Sequence, residues 1–314
     1  MKISVIGTGK VGGATAFALV TRGVPHELVL VGRDRDKALG DAYDLLHASA
    51  FIRPMDVKAG GVPETRGSDI VVIAVSARAD VAGDRLSNAE ANARLVAELV
   101  PGLAEASPGA IFVVLTNPVD VCTYVALRAS GRPAGQVLGT GTLIDTGRFR
   151  ALLSRETGIN ATDIRAYILG EHGETQFPAL SVAAAGGVRF VEGDETVKAM
   201  FEEARRGGHD VMRYKGYTNY AVAMSASLVC EAIAGNTHAV MPVSTLVDGY
   251  KGVRDVCLSL PCVVGRAGVE RVLAIDLNEP ETAQFHHSAD VLRGILDQVI
   301  PVAFPQANPG EETR

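Results

Sequence analysis

Three stretches of this chain carry residue types at spacings that chemistry can use. The first is Gly7-Thr8-Gly9-Lys10-Val11-Gly12, a GxGxxG run that follows the apolar segment Lys2–Ile6 and opens the Ala-rich, helix-compatible stretch Val11–Arg22. In that setting Gly7 permits a tight turn, Gly9 lets the backbone approach a pyrophosphate, and Gly12 lets helix and strand pack closely. The helix start at Lys10 and Val11 supplies free N–H groups and partial positive charge for phosphates. The second is Gly170-Glu171-His172-Gly173, a histidine in a glycine-flanked turn. An imidazole titrating near neutrality suits proton transfer, although a single histidine taken alone is more often structural. The third is Gly139–Arg148, in which Asp145 and Arg148 share one face at the start of a helix. Between these lies Thr116-Asn117-Pro118, closing a buried apolar run, the usual place for ligand contacts in open α/β sheets.

The residue ending the second strand, about 20 positions beyond the glycine turn, selects between dinucleotides. A carboxylate there would bind both ribose hydroxyls. That count from Gly12 reaches Gly32, followed by Arg33. A glycine leaves room for a 2′-phosphate and an arginine can pair with one, so the pair leans toward NADP within an NAD(P) assignment. Asp34 and Asp36 are the counter-evidence, since either would serve the ribose if turned inward.

These groups need elements to hold them. Strands are expected at Lys2–Ile6, Glu27–Val31, Asp69–Val75, Ala110–Leu115 and Gln136–Leu138, and helices at Val11–Arg22, Asp36–His47, Ser87–Glu105 and Val119–Ser130. Apolar strands alternating with helices predict an α/β fold with an N-terminal Rossmann-type, doubly wound parallel sheet. The second half reads as an α+β catalytic domain. A helix is expected from Asp145 to about Glu156, strands at Asp163–Leu169 and Leu180–Ala185, and helices near Thr196–Met212 and Thr218–Ile233. Strands near His238–Val247 and Val256–Val264 and a helix at Pro280–Val299 complete it. The boundary is placed so that residues 1–144 hold the dinucleotide and 145–314 the substrate.

Composition limits the alternatives. Of 314 residues, 47% are hydrophobic and 21% charged, which excludes a disordered or fibrous chain. Lys+Arg number 30 and Asp+Glu 36, giving a net charge of −6, a poor basis for neutralising nucleic-acid phosphates. No apolar run is long enough to cross a membrane, and the N-terminus reads as a strand rather than a signal peptide, so a cytoplasmic protein is expected. The four cysteines, at 122, 230, 257 and 262, form no CxxC pair, and no metal-ligand spacing is present, so buried reduced thiols and no metal are expected.

Taken together, GTGKVG, AYDLLHA, TNPVDV, GTGTLIDTGRFR, GEHGETQFPALS, KGYTNYAVA and LSLPCVVGRAGV, in this order over nearly the whole chain, resemble the L-lactate/malate dehydrogenase family. The GTGTLIDTGRF, Gly83–Arg85 and KGYTNYA segments are similar to its L-2-hydroxyisocaproate dehydrogenase branch. The resemblance implies hydride exchange between a nicotinamide dinucleotide and a small 2-hydroxy or 2-keto acid. It implies that His172 is the general acid/base, that Asp145 fixes its tautomer, and that Arg148 forks onto the substrate carboxylate. It further implies that Arg85 polarises the carbonyl from a closing loop, that Asn117 bonds the substrate oxygen beside the cofactor, that Thr218 lines the substrate site, and that Asn117-Pro118 is cis. Specificity in the family is read from the loop before Arg85, where lactate enzymes carry glutamine and malate enzymes arginine. Here ungapped counting gives Ala79, flanked by Arg78 and Asp80. Ala79 facing the substrate predicts a neutral pocket for lactate-like or longer monocarboxylates, the favoured reading; a shift by one residue would present Arg78 and make the enzyme a malate dehydrogenase. Arg150 and Arg165 match positions where allosteric bacterial lactate dehydrogenases bind a sugar bisphosphate, and the family's habit implies a homodimer or homotetramer. A catalytically silent cofactor sensor and the NAD- and metal-dependent glycosidases of the same fold are the rivals.

Overall fold

The computed structural model describes residues 1–77, 85–190 and 193–305, with Arg85 described by its backbone alone. The N-terminal part alternates β1 (Lys2–Ile6), α1 (Lys10–Thr21), β2 (Glu27–Val31), α2 (Arg35–Ser49), β3 (Asp56–Gly60), β4 (Ile70–Ile73), α3 (Arg85–Ala106), β5 (Ile111–Val114), α4 (Val119–Ser130) and β6 (Val137–Gly139). The short strands Ile70-Val71-Val72-Ile73 and Ile111-Phe112-Val113-Val114 are buried at every position, as strands covered by helices on both faces must be. Their parallel order is β3-β2-β1-β4-β5-β6, so the order reverses between β1 and β4. The carboxyl ends of those two strands, at Gly7 and Ala74, therefore flank the crevice where such sheets take ligands.

The remainder continues through α5 (Leu143–Thr157), β7 (Ile164–Arg165), β8 (Ile168–Leu169), β9 (Phe177–Pro178), β10 (Ala184–Ala185), β11 (Val188–Arg189), α6 (Glu195–Lys215), α7 (Tyr220–Gly235), β12 (Ala239–Asp248), β13 (Arg254–Gly265), β14 (Gly268–Val272) and α8 (Glu279–Ala303). The antiparallel strands β12, β13 and β14 extend the same sheet beyond β6, making nine strands in all, joined at the pair Ser244–Gly139. Two expected strands come out differently. Asp163–Leu169 divides at Ala166-Tyr167, because β7 pairs with β10 whereas β8 pairs with β9. Leu180–Ala185 opens with a tight 3-10 turn, since the buried Glu281 carboxylate of the α8 capping box takes the Ser181 N–H at 2.9 Å that a strand ladder would need.

The main core lies along the large sheet, and a second one gathers Phe149, Leu153, Ile164, Ile168, Val197 and Met200 between α5 and α6. All four cysteines are buried, Cys122 on α4, Cys230 on α7, and Cys257 and Cys262 on β13. Among the described residues no helix is long and apolar enough to cross a membrane.

Candidate active site

The glycine turn has the shape its sequence requires. Gly7 sits at φ +102°, and a Cβ there would lie 2.5 Å from the Ala74 carbonyl oxygen. A Cβ on Gly12 would lie 1.7 Å from the Gly7 oxygen, so that position is closed to any side chain. Gly9 differs: it is exposed and nothing stands within 4 Å of where its Cβ would be. The open space left by Gly9 lies at the N-terminus of α1, which carries no side-chain cap and no acidic residue in its first turn. Lys10 and Val11 begin that helix; the Lys10 ammonium lies 3.8 Å above the Tyr217 ring. The turn fits a dinucleotide pyrophosphate on these features.

At the end of β2, the space a Gly32 side chain would fill is occupied, with Thr8 Oγ1 at 2.6 Å and Ala38 Cβ at 3.1 Å. Gly32 is thus a packing requirement of α2 against the glycine turn. Arg33 is exposed. Asp34 is committed as the α2 N-cap, accepting from the Lys37 N–H at 3.0 Å. Lys37 was not singled out from the sequence, yet its Nζ donates to the Thr8 carbonyl at 2.8 Å and to Asp41 Oδ2 at 2.6 Å, which ties α2 to the glycine turn.

Asp145 and Arg148, three apart on α5, and His172, 27 residues beyond Asp145, meet at one buried carboxylate. Asp145 is 1% exposed. Its Oδ2 lies 2.6 Å from His172 Nδ1, and its Oδ1 accepts from Arg148 Nη1 at 2.7 Å. Burial acts to raise the Asp145 pKa, but the His172 charge and hydrogen bond, with Arg148, outweigh it and hold the carboxyl below its ordinary value. Burial likewise acts to lower that of His172, and the Asp145 charge and hydrogen bond, with the Asp120 charge, carry it above the ordinary imidazole value. The other ring nitrogen, Nε2, is left to the cavity side of the ring, whose side chain is 30% exposed.

A cavity of about 390 Å³ opens over these groups, lined among others by Asn117, Ile144, Arg148, His172, Met212, Thr218 and Val222. A neighbouring cavity of about 490 Å³ runs along the ends of β4 and β5 and shares Val11, Leu115, Asn117 and Met212 with the first, so the space is continuous from the glycine turn side to His172. The Asn117–Pro118 bond is cis. Asn92, missed in the sequence, ties this corner together: its Oδ1 accepts the Ala77 N–H at 2.7 Å and its Nδ2 donates to the Asn117 carbonyl at 2.8 Å. Three further residues were also missed. Gly207 and Gly208 on α6 face Arg148, whose side chain lies 3.3 Å and 3.5 Å from their Cβ positions. A glycine pair inside a helix is the signal that could have flagged them, since each costs about 1 kcal/mol against alanine. Arg205 lines the cavity over His172 but pairs with Glu202 at 2.7 Å and Glu174 at 3.3 Å.

Arg78 and Ala79 lie outside the described residues, and of Arg85 only its place as the first residue of α3 is described. Arg150 and Arg165 stand outside the cavity, on α5 and β7. Arg150 donates from Nε to the Ala166 carbonyl at 2.8 Å and stacks on Tyr167, with Nη2 buried and unbonded, while exposed Arg165 donates to the Thr162 carbonyl at 2.6 Å.

Residues 1–139 match the family model for the lactate/malate dehydrogenase NAD binding domain, and residues 142–302 that for the lactate/malate dehydrogenase alpha/beta C-terminal domain. The chain belongs to the lactate/malate dehydrogenase family. It is accordingly an oxidoreductase. Among the members of this family that it resembles, an L-lactate dehydrogenase of Synechococcus sp. (strain JA-3-3Ab) is 41% identical over 304 residues, covering 95% of this chain and 99% of that protein. One of Clostridium botulinum is 37% identical over 305 residues, covering 94% and 96%. Among solved structures, the lactate dehydrogenase MGS-M5 from a Medee basin deep-sea metagenome library superposes with a TM-score of 0.91 at 33% identity, covering 95% of this chain and 98% of its own. The minor L-lactate dehydrogenase of Enterococcus mundtii gives a TM-score of 0.91 at 32% identity with the same coverage.

Proposed function

We propose that this member of the lactate/malate dehydrogenase family interconverts an L-2-hydroxy monocarboxylic acid and its 2-keto acid, with His172 moving the proton. The observation that carries the reading is Asp145, one buried carboxylate bonded at once to His172 and Arg148. A bound nicotinamide dinucleotide supplies or accepts the hydride. His172 gives its Nε2 proton to the carbonyl oxygen in reduction and takes it back in oxidation. Asp145 accepts from Nδ1–H, which fixes the tautomer and stabilises the imidazolium. Arg148 keeps the rest of its guanidinium for the substrate carboxylate, a planar fork suited to that group. Asn117 bonds the substrate oxygen, Thr218 borders the substrate, and Arg85 polarises the carbonyl on loop closure.

The monocarboxylate preference is supported by Ile144, Met212 and Val222 in the cavity wall and by Arg205, whose charge is taken up by Glu174 and Glu202. Residues 1–144 then serve as the dinucleotide-holding part, with Gly7, Gly9, Lys10, Val11 and Gly12 at the pyrophosphate, and residues 145–314 as the catalytic part. Exposed Arg33 beside the turn, and Asp34 spent on capping, support NADP over NAD; the filled space at Gly32 means that a 2′-phosphate would sit outside Thr8. Exposed Phe17, Tyr43, Tyr220 and Met224 support a homo-oligomer, and an anion at Arg150 and Arg165 is compatible with the buried, unbonded Arg150 Nη2. The test is a steady-state reduction panel of pyruvate, 2-ketoisocaproate, phenylpyruvate and oxaloacetate, each with NADH and NADPH. Turnover of the monocarboxylates is expected. Preference for oxaloacetate would replace the reading with malate dehydrogenase and Arg78 as second clamp, and turnover of none would overturn it.

A further inference from the structure

Asp120, three residues beyond Asn117 in the first turn of α4, is not explained by the scheme above. It is 2% exposed. Its Oδ2 accepts the main-chain N–H of His172 at 2.7 Å. Its Oδ1 is buried without a hydrogen bond and faces the Ser244 hydroxyl, which is itself buried and unbonded. A neutral side chain would accept one N–H without the cost of burying a carboxylate; what the carboxylate adds is negative charge, held behind the histidine whose ring is already bonded to Asp145.

We propose that Asp120 is a second positioning carboxylate of the proton-transfer site, anchoring the His172 main chain to the first turn of α4, just beyond Asn117, and setting a second negative charge on the main-chain side of the ring. This rests on the assignment of His172 above. Two carboxylates on separate elements thus bracket one imidazole: Asp145 on α5 touches the ring and Asp120 on α4 touches the backbone. Asn117 precedes the Pro118 N-cap of α4 and Asp120 lies in its first turn, so the hydrogen bond from the His172 N–H ties the loop that carries the acid/base to the segment that presents Asn117. The electrostatics agree. Burial pushes the Asp120 carboxyl up to about 6, against the pull of Ser244 and of the His172 N–H, and its charge in turn helps to raise His172. The other charged groups around the ring are Arg148 on α5, which lowers it, Glu171 in its own turn, and Arg205 and His209 on α6, both paired with Glu174.

The experiment is an NMR titration of the His172 Cε1–H in the full chain, assigned with His172→Gln, in wild type, Asp120→Asn and Ser244→Ala. Asparagine keeps an acceptor for the His172 N–H and removes the charge, so the His172 midpoint is expected to fall by about one pH unit. Ser244→Ala removes a group that favours the ionised carboxyl and is expected to move the midpoint the same way by less, which keeps the inference testable should Asp120→Asn not fold. The alkaline limb of kcat/KM for reduction should follow, with cofactor Kd unchanged. Midpoints equal to wild type in each variant that folds would make Asp120 a structural anchor only and overturn the proposal. The titration needs no substrate: if the wild type reduces no 2-keto acid, the function fails while this inference is still decided.

Discussion

Asp145→Asn is the sharpest test of the proton relay. The amide is nearly isosteric and still offers an oxygen to Arg148, but toward His172 it presents an N–H donor. Nδ1 must then accept, and the charge facing the imidazolium is gone. Two unit charges about 4 Å apart interact by about 4 kcal/mol at an effective dielectric near 20. Part of that is offset by the burial that already opposes ionisation of both groups, which leaves about 2 to 3 kcal/mol of imidazolium stabilisation to lose. At about 1.4 kcal/mol per decade this predicts a fall of roughly 30- to 150-fold in kcat/KM for reduction near neutral pH. The sign of the pH effect follows from the same pair. Removing the carboxylate lowers the His172 pKa, and reduction needs the protonated ring, so the alkaline limb of the reduction profile moves to lower pH. The assay is kcat/KM for the best 2-keto acid from pH 5 to about 9 at saturating reduced cofactor, with cofactor Kd measured by fluorescence as a control of folding. A loss below about threefold with an unmoved limb would refute the relay.

Two further predictions separate structural glycines from functional ones and probe the cofactor. Gly12→Ala should destabilise the fold by about 3 kcal/mol or more, seen as a lowered Tm, because its Cβ meets the Gly7 oxygen at 1.7 Å. Gly9→Ala should keep the wild-type Tm and weaken cofactor binding about tenfold or more, because its methyl enters open space at the α1 N-terminus. Arg33→Ala should raise the KM for NADPH about tenfold more than that for NADH; equal effects would remove the 2′-phosphate argument.

The parts of the molecule legible in the sequence are those whose signal is local. β4 and β5 show as unbroken apolar runs because they are buried on both faces. Gly7 and Gly12 are legible because backbone geometry leaves them no substitute, whereas Gly9 is legible for the open space it leaves at the start of α1. What stayed hidden depends on partners distant in the chain. That β12 continues the parallel sheet rests on its pairing with β6, about which neither sequence says anything alone. The Leu180–Ala185 run has strand-like composition, yet Glu281, a hundred residues later, claims its Ser181 N–H. In the site, Asp145 and Arg148 could be paired by helical spacing. Asp120 and Asn92 could not, because their contacts are to the main chain of His172, Ala77 and Asn117, and a backbone acceptor or donor leaves no mark on residue type.

The four buried cysteines have a practical consequence for how this molecule ages. Burial pushes all four thiols above their ordinary range, Cys230 and Cys262 to about 12. Alkylating agents and peroxides react with the thiolate, a species the folded chain withholds on two counts, ionisation and access. Loss of sulfhydryl titre in stored protein therefore counts excursions in which the sheet core opens. It measures the frequency of those excursions, and it leaves the oxidation state of the catalytic apparatus out of the reckoning.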